Sequence, residues 1–93
     1  MDFQNEAQIE PKEEQKIESK INKELVLFND DVHTFDFVID ALVKVCKHTS
    51  EQAEQSAYIV HFNGQCSVKN GPLDKLKPMK EALIDRDLRA KLI

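Results

Sequence analysis

The 93-residue chain has no tryptophan, only two glycines, three prolines and two cysteines. With so few glycines it cannot build a glycine-rich phosphate loop. Cys46 and Cys66 do not make a disulfide framework and fit a reducing cytoplasm. No Cys-x-x-Cys or metal-spaced Cys/His pair occurs, so neither a structural zinc site nor any other cofactor is expected. Uninterrupted apolar runs stop at Leu25–Phe28 and Ala57–Val60, far short of the roughly 20 residues that span a bilayer. The N-terminus lacks a basic region followed by an apolar stretch, so no secretory signal is expected. There is no basic excess either: 13 Lys and Arg stand against 17 Asp and Glu, a net charge of −4. Phosphate contact needs a basic face, and the lysines are scattered, so nucleic acid is not an expected partner.

What remains is a chain that is 41% hydrophobic and 32% charged, the composition of a single small domain. The charge is uneven. Residues 1–23 are rich in charge and poor in apolar side chains, and Glu10-Pro-Lys-Glu-Glu-Gln-Lys16 buries too little apolar surface to offset the entropy of ordering it. This segment is expected to be a flexible extension, with a transient helical turn at Ile17 and Ile21. The fold is expected over residues 24–93, with a small core and marginal stability.

Leu25-Val-Leu-Phe28 predicts a strand that enters a polar turn at Asn29-Asp-Asp31. Thr34 fits a helix N-cap, with Asp36 in the first turn where the macrodipole favours an acid. From Phe35 to Lys47 only Asp36, Asp40, Lys44 and Lys47 are charged, a narrow polar stripe on an otherwise buried helix. Thr49 with Gln52 makes a capping box for a second helix, expected to run to about His61 before Asn63-Gly64 ends it. Gln65 to Lys69 alternates as a strand with Cys66 and Val68 on one face, and Asn70-Gly71-Pro72 is expected to break it. Pro78 suits a first helical turn, so a third helix is expected over about 78–86. Leu88, Ala90 and Leu92 alternate with Arg89 and Lys91 as a closing edge strand. The order is β-α-α-β-α-β: an α+β two-layer sandwich, three helices against a three-stranded antiparallel sheet.

Taken alone, the residues able to do chemistry have ordinary readings. Asn29-Asp30-Asp31 after a strand is common loop chemistry, because such side chains bond to their own turn. Cys46 and Cys66 read as small core residues. His48, at the end of the first helix, would complement the dipole as a cation. His61 follows Tyr58-Ile-Val60 one turn after Ala57 and by itself reads as structural. No nucleophile elbow is present. A metal-dependent hydrolase built from Asp30, Asp31, His33 and His61 is the remotest of the readings open at this point.

The whole pattern resembles a family. Leu25-Val-Leu-Phe-Asn-Asp-Asp31, then Phe37-Val-Ile39, then Val60-His61 with Gly64 and a short strand behind it, is similar to ClpS, the bacterial Clp protease adaptors that recognise destabilising N-terminal residues. The resemblance covers roughly residues 24–93. It implies the same β-α-α-β-α-β layout, a variable N-terminal extension used in delivery, and a cytoplasmic monomer without catalytic residues. The implied partners are N-degron substrates and the N-terminal domain of a hexameric Clp ATPase such as ClpA or ClpC. A free α-ammonium offers three donors and a positive charge, so its receptor needs converging acceptors and no competing cation. By resemblance Asn29, Asp31 and His61 hold it, with Asp30 close by. The substrate's first side chain enters an apolar pocket beside His33, Phe35, Val38, Ala57, Val60 and Leu88, and Asp74 matches an acidic residue that touches the ATPase. The chain departs from the family where Val32-His33-Thr34-Phe35 replaces a pattern ending in Thr-Pro-Met, where Ala57 replaces a common Met, and where the segment from Gly71 to Leu88 is shorter than usual. The alternative function is a docking module with the same two layers but no N-degron pocket, like the ribosomal-stalk C-terminal domain.

Overall fold

A computed structural model describes residues 21–93; the extension assigned to residues 1–23 lies outside it up to residue 20, and so does Ile17 of the expected helical turn. Six elements follow one another: β1 (Asn22–Phe28), α1 (Phe35–Cys46), α2 (Ser50–Asn63), β2 (Gln65–Pro72), α3 (Leu73–Asp85) and β3 (Arg89–Leu92). The sheet order is β2-β1-β3, with both pairings antiparallel. This is the expected β-α-α-β-α-β sandwich.

The most apolar strand takes the centre. Leu25 and Leu27 are fully buried, Val26 nearly so. Alternation turns Leu25 and Leu27 to the helices and Val26 to the other face, where it pairs with Ser67 and Lys91 of the flanking strands. Leu25 and Leu27 meet Ala41, Leu42 and Cys46 of α1, Ala53 and Val60 of α2, and Leu76 and Leu83 of α3 in one core.

The caps follow the local chemistry. Thr34 accepts the Phe37 N–H at 3.1 Å. Thr49 and Gln52 exchange both bonds of the capping box. Gly64 ends α2 with φ of 90°, a left-handed conformation that glycine adopts without a Cβ penalty.

Four expectations need correction. β1 begins at Asn22, because Asn22 and Lys23, counted with the extension for their polarity, pair with Pro72 and Gly71. Those pairings also carry β2 through Asn70-Gly71-Pro72, which does not break it. β2 is an edge strand, and there a proline costs no ladder bond. The third helix starts at Leu73, with Pro72 as its N-cap and Pro78 inside it; Pro78 removes one bond, to the Asp74 carbonyl, and the helix continues. Finally, the first turn of α1 is not buried: Phe35 and Phe37 are 38% and 39% exposed. The core takes α1 only from Val38 onward.

His48 also differs from its expected role as a dipole-facing cation. It is buried, and its Nε2 donates to the Val68 carbonyl at 2.6 Å. The register of β1 against β2 slips between Leu25–Lys69 and Val26–Ser67, so Val68 is the extra residue of a bulge and lacks a cross-strand partner. His48 supplies that partner across the fold, while its Nδ1 has none among the described residues. Replacing His48 with Leu, which keeps most of the volume, should therefore destabilise the fold by about 1–3 kcal/mol through the orphaned carbonyl. Urea unfolding of the two proteins measures it.

Candidate functional site

The end of β1 and the end of α2 are tied together. The Asn29 N–H donates to the Gly64 carbonyl at 2.9 Å, directly beyond the Phe28–Gln65 pair. That bond brings the loop after β1 against the last turns of α2. Between them lies a cleft of about 230 Å³ lined by Asn29, His33, Thr34, Phe35, Val38, Ala57, Val60 and His61. Its apolar wall comes from one face of each helix, since Val60 and His61 stand three and four residues after Ala57 on α2. No lysine or arginine lines it.

The loop is held by Asp30. Its Oδ1 accepts the Val32 N–H at 2.9 Å and the His33 N–H at 2.8 Å. The His33 ring turns its Nδ1 to the same carboxylate, 3.0 and 2.9 Å from the two oxygens. Partial burial pushes the Asp30 carboxyl up, but the bonds from His33 and Val32 outweigh it and hold the pKa below the ordinary carboxylate value. The His33 ring also stacks on Phe37, with centroids 4.6 Å apart and planes 23° from parallel.

The outer rim is aromatic. Phe35 lies 5.2 Å from His61 and 6.1 Å from Tyr58. Phe62 lies 4.5 Å from Tyr58 and 4.8 Å from His61. The four rings close a circuit over the ends of α1 and α2. Sequence reasoning left out Tyr58, Phe62 and the wall position of Thr34; the signal for the first two was their i,i+4 spacing on a helix beside His61.

Of the residues named from sequence, Asn29, His33, Phe35, Val38, Ala57, Val60 and His61 come together here. Asp30 stands behind His33 with its oxygens turned into the loop, and Asp31 is exposed and off the cleft wall. Leu88 is not on the wall. It is buried in the core, where its N–H bonds to the Leu83 carbonyl while that of Asp87 bonds to Ile84; this is a Schellman ending of α3, with Asp87 at φ of 65°. Its apolar side chain is used in packing that turn against Leu83. Asp74 is exposed in the first turn of α3, apart from the cleft. Burial raises the Cys46 thiol to about 11 and that of Cys66 in the same direction, so both are protonated, unreactive thiols at neutral pH. Among the described residues no three His, Cys, Asp or Glu side chains are grouped to hold a metal, and no helix is long and apolar enough to cross a membrane.

The family model "ATP-dependent Clp protease adaptor protein ClpS" matches residues 18–91. The chain belongs to the ClpS family. An adapter protein ClpS of Campylobacter jejuni strain 81-176 is 36% identical over 52 residues, which are 56% of this chain and 54% of that one. The one from Treponema denticola is 38% identical over 47 residues, 50% and 46% of the two chains. The chain thus spans about half the length of the curated relatives it matches. ClpS2 of Agrobacterium tumefaciens, bound to L-phenylalaninamide, superposes with a TM-score of 0.71, covering 81% of this chain and 96% of that one at 21% identity. At that identity the likeness establishes the shared fold.

Because Asp30 has a lowered folded-state pKa, its bonds stabilise the protein fully above the ordinary carboxylate pKa and are lost as pH falls through the folded value. Asp30→Asn should cost stability at neutral pH, and the gap to the unsubstituted protein should close below the ordinary carboxylate range. Urea midpoints for the pair across an acid series test this.

Proposed function

We propose that this ClpS chain binds proteins through a free N-terminus that begins with a large hydrophobic residue and passes them to a hexameric Clp ATPase. The supporting observation is the cleft itself: an apolar hollow, free of lysine and arginine, with the Asn29 amide and the His61 ring at its edge. L-Phenylalaninamide, held by the Agrobacterium ClpS2, carries the two features such a cleft suits, a free amine and a benzyl side chain. The alternative docking module would have no use for such a hollow.

The energetics are adequate. Burying a Leu or Phe side chain contributes roughly 1.5–3 kcal/mol. Each charge-assisted hydrogen bond to the ammonium adds about 1.5–3 kcal/mol. After the costs of association, dissociation constants in the low-micromolar range, about −8 kcal/mol, are expected. No bond is made or broken in this role: the protein acts by holding one partner while another takes it, in the cytoplasm. Residues 1–20 would serve delivery, and Asp74, exposed on α3, would face the ATPase.

His61→Ala should weaken binding of a Leu-initiated peptide by about 2–3 kcal/mol, the range of a lost charge-assisted contact, and leave the fold intact because the ring is exposed. Acetylating the peptide's amine should abolish the interaction; fluorescence anisotropy showing equal affinity for the acetylated peptide would end this reading.

Selectivity at the first residue turns on Ala57, which is 3% exposed on the cleft wall. A longer side chain there would crowd a substrate branched at Cβ, so the natural protein should accept Ile or Val comparatively well. Ala57→Met should widen the preference for Leu over Ile by about 1 kcal/mol or more, an ordinary overpacking cost, as read from paired peptide titrations.

A further inference from the structure

An α-ammonium has three N–H donors and needs three acceptors. The cleft as folded offers fewer carboxylates than its sequence implies. Asp31 stands off the wall in solvent. Asp30 Oδ1 accepts from the N–H groups of Val32 and His33, and both of its oxygens face the His33 ring. Asn29 and His61 supply two acceptors at the edge, and the Thr34 hydroxyl already accepts from Phe37. The remaining polar side chain on the wall is His33.

The His33 ring is fixed on two sides. Nδ1 faces the Asp30 carboxylate and one ring face lies on Phe37. An ionised carboxylate can only accept, so Nδ1 carries the proton of the neutral ring and Nε2 keeps its lone pair. Nε2 is on the opposite edge of the ring of this wall residue, and it has no hydrogen-bond partner among the described residues. The bonds that hold the Asp30 carboxyl below its ordinary pKa keep it ionised throughout the neutral range. A carboxylate behind an imidazole fixes its tautomer and ring orientation, as second-shell carboxylates do for metal-binding histidines.

We propose that His33 Nε2 is the third acceptor for the substrate's α-ammonium and that Asp30 supplies its negative charge through this imidazole, without touching the amine. This rests on the cleft being an N-terminal amine receptor. Asp30 is then a positioning residue that acts through His33, and the charge that attracts the amine stays behind the ring, where the loop needs it.

The test uses the full chain and a fluorescent Leu-initiated peptide, with the same peptide N-acetylated as control. His33→Phe keeps an aromatic ring for Phe37 and removes the acceptor; Asp30→Asn keeps an oxygen for the loop N–H groups and removes the charge. Each should weaken binding of the free-amine peptide about tenfold or more. The double substitution should be little worse than either alone, because the two act as one unit. In ¹⁵N NMR of the unsubstituted protein, the His33 ring should show a protonated Nδ1 and a bare Nε2. The Nε2 resonance should move with the free-amine peptide and stay in place with the acetylated one. This readout does not depend on any variant folding. A loss in Asp30→Asn with no loss in His33→Phe would mean that Asp30 touches the amine directly, and the inference would be overturned. An Nε2 resonance indifferent to the peptide would overturn it as well. Both results leave the cleft as an amine receptor. If the unsubstituted protein showed no preference for the free amine at all, the parent reading would fall and this inference with it.

Discussion

The hydrogen bond from the Asn29 N–H to the Gly64 carbonyl is the constraint on which the site depends. Asn29 is the first residue past the central strand, and Gly64 is the residue that stops α2. Because Gly64 takes a left-handed conformation, the chain leaves the helix and enters β2 without an intervening loop. β2 then pairs with β1, beginning at Phe28 and Gln65. The sheet ladder and the helix cap therefore meet at one point. Asn29 and His61, distant in sequence, become neighbours there, and the cleft is the space their elements enclose.

Around that point the protein separates charge from the surface it would present to a ligand. The cleft wall carries no lysine or arginine, and the nearest carboxylate bound into the structure, Asp30, is turned into its own loop. The loop gains rigidity from that arrangement: one carboxylate satisfies two backbone donors and an imidazole, and the same imidazole rests on Phe37. Rigid polar groups at the mouth of an apolar hollow suit recognition, since little ordering remains to be done on binding. The ring circuit of Phe35, Tyr58, Phe62 and His61 continues this surface outward from the cleft.

Two of the three departures that the sequence suggests from the ClpS pattern fall in this region, the third being the segment from Gly71 to Leu88. His33 and Phe35 lie in the first turn of α1 and the loop before it, and Ala57 lies opposite them on α2, all on one wall. The apolar central strand, the capping box and the glycine stop set the layers without reference to the cleft.

Local chemistry made much of this legible. Thr34, the Thr49–Gln52 pair and Gly64 mark helix ends because each satisfies, or frees from strain, a backbone group in its own vicinity, and the Leu25–Phe28 run marks the central strand because it is apolar on both faces. By itself the sequence determined the element order, the caps and the single small core; joined to the ClpS resemblance, it also assembled most of the wall residues. The start of β1 at Asn22, the course of β2 through Pro72 and the length of α3 past Pro78 were not legible, because each depends on what the neighbouring strand or helix tolerates rather than on local preference. The same holds for individual side chains. His48 is polar enough to face water, yet a bulge in β2 leaves the Val68 carbonyl unpaired and draws the ring inside. Leu88 could have lined a cleft, but the Schellman turn uses it in the core. Asp30 and Asp31 are adjacent and chemically identical; only the folded loop decides that one binds its own backbone and His33 while the other stands in water. Period and capping are properties of a few consecutive residues, whereas the partner a polar group finds is set by elements brought together from across the chain.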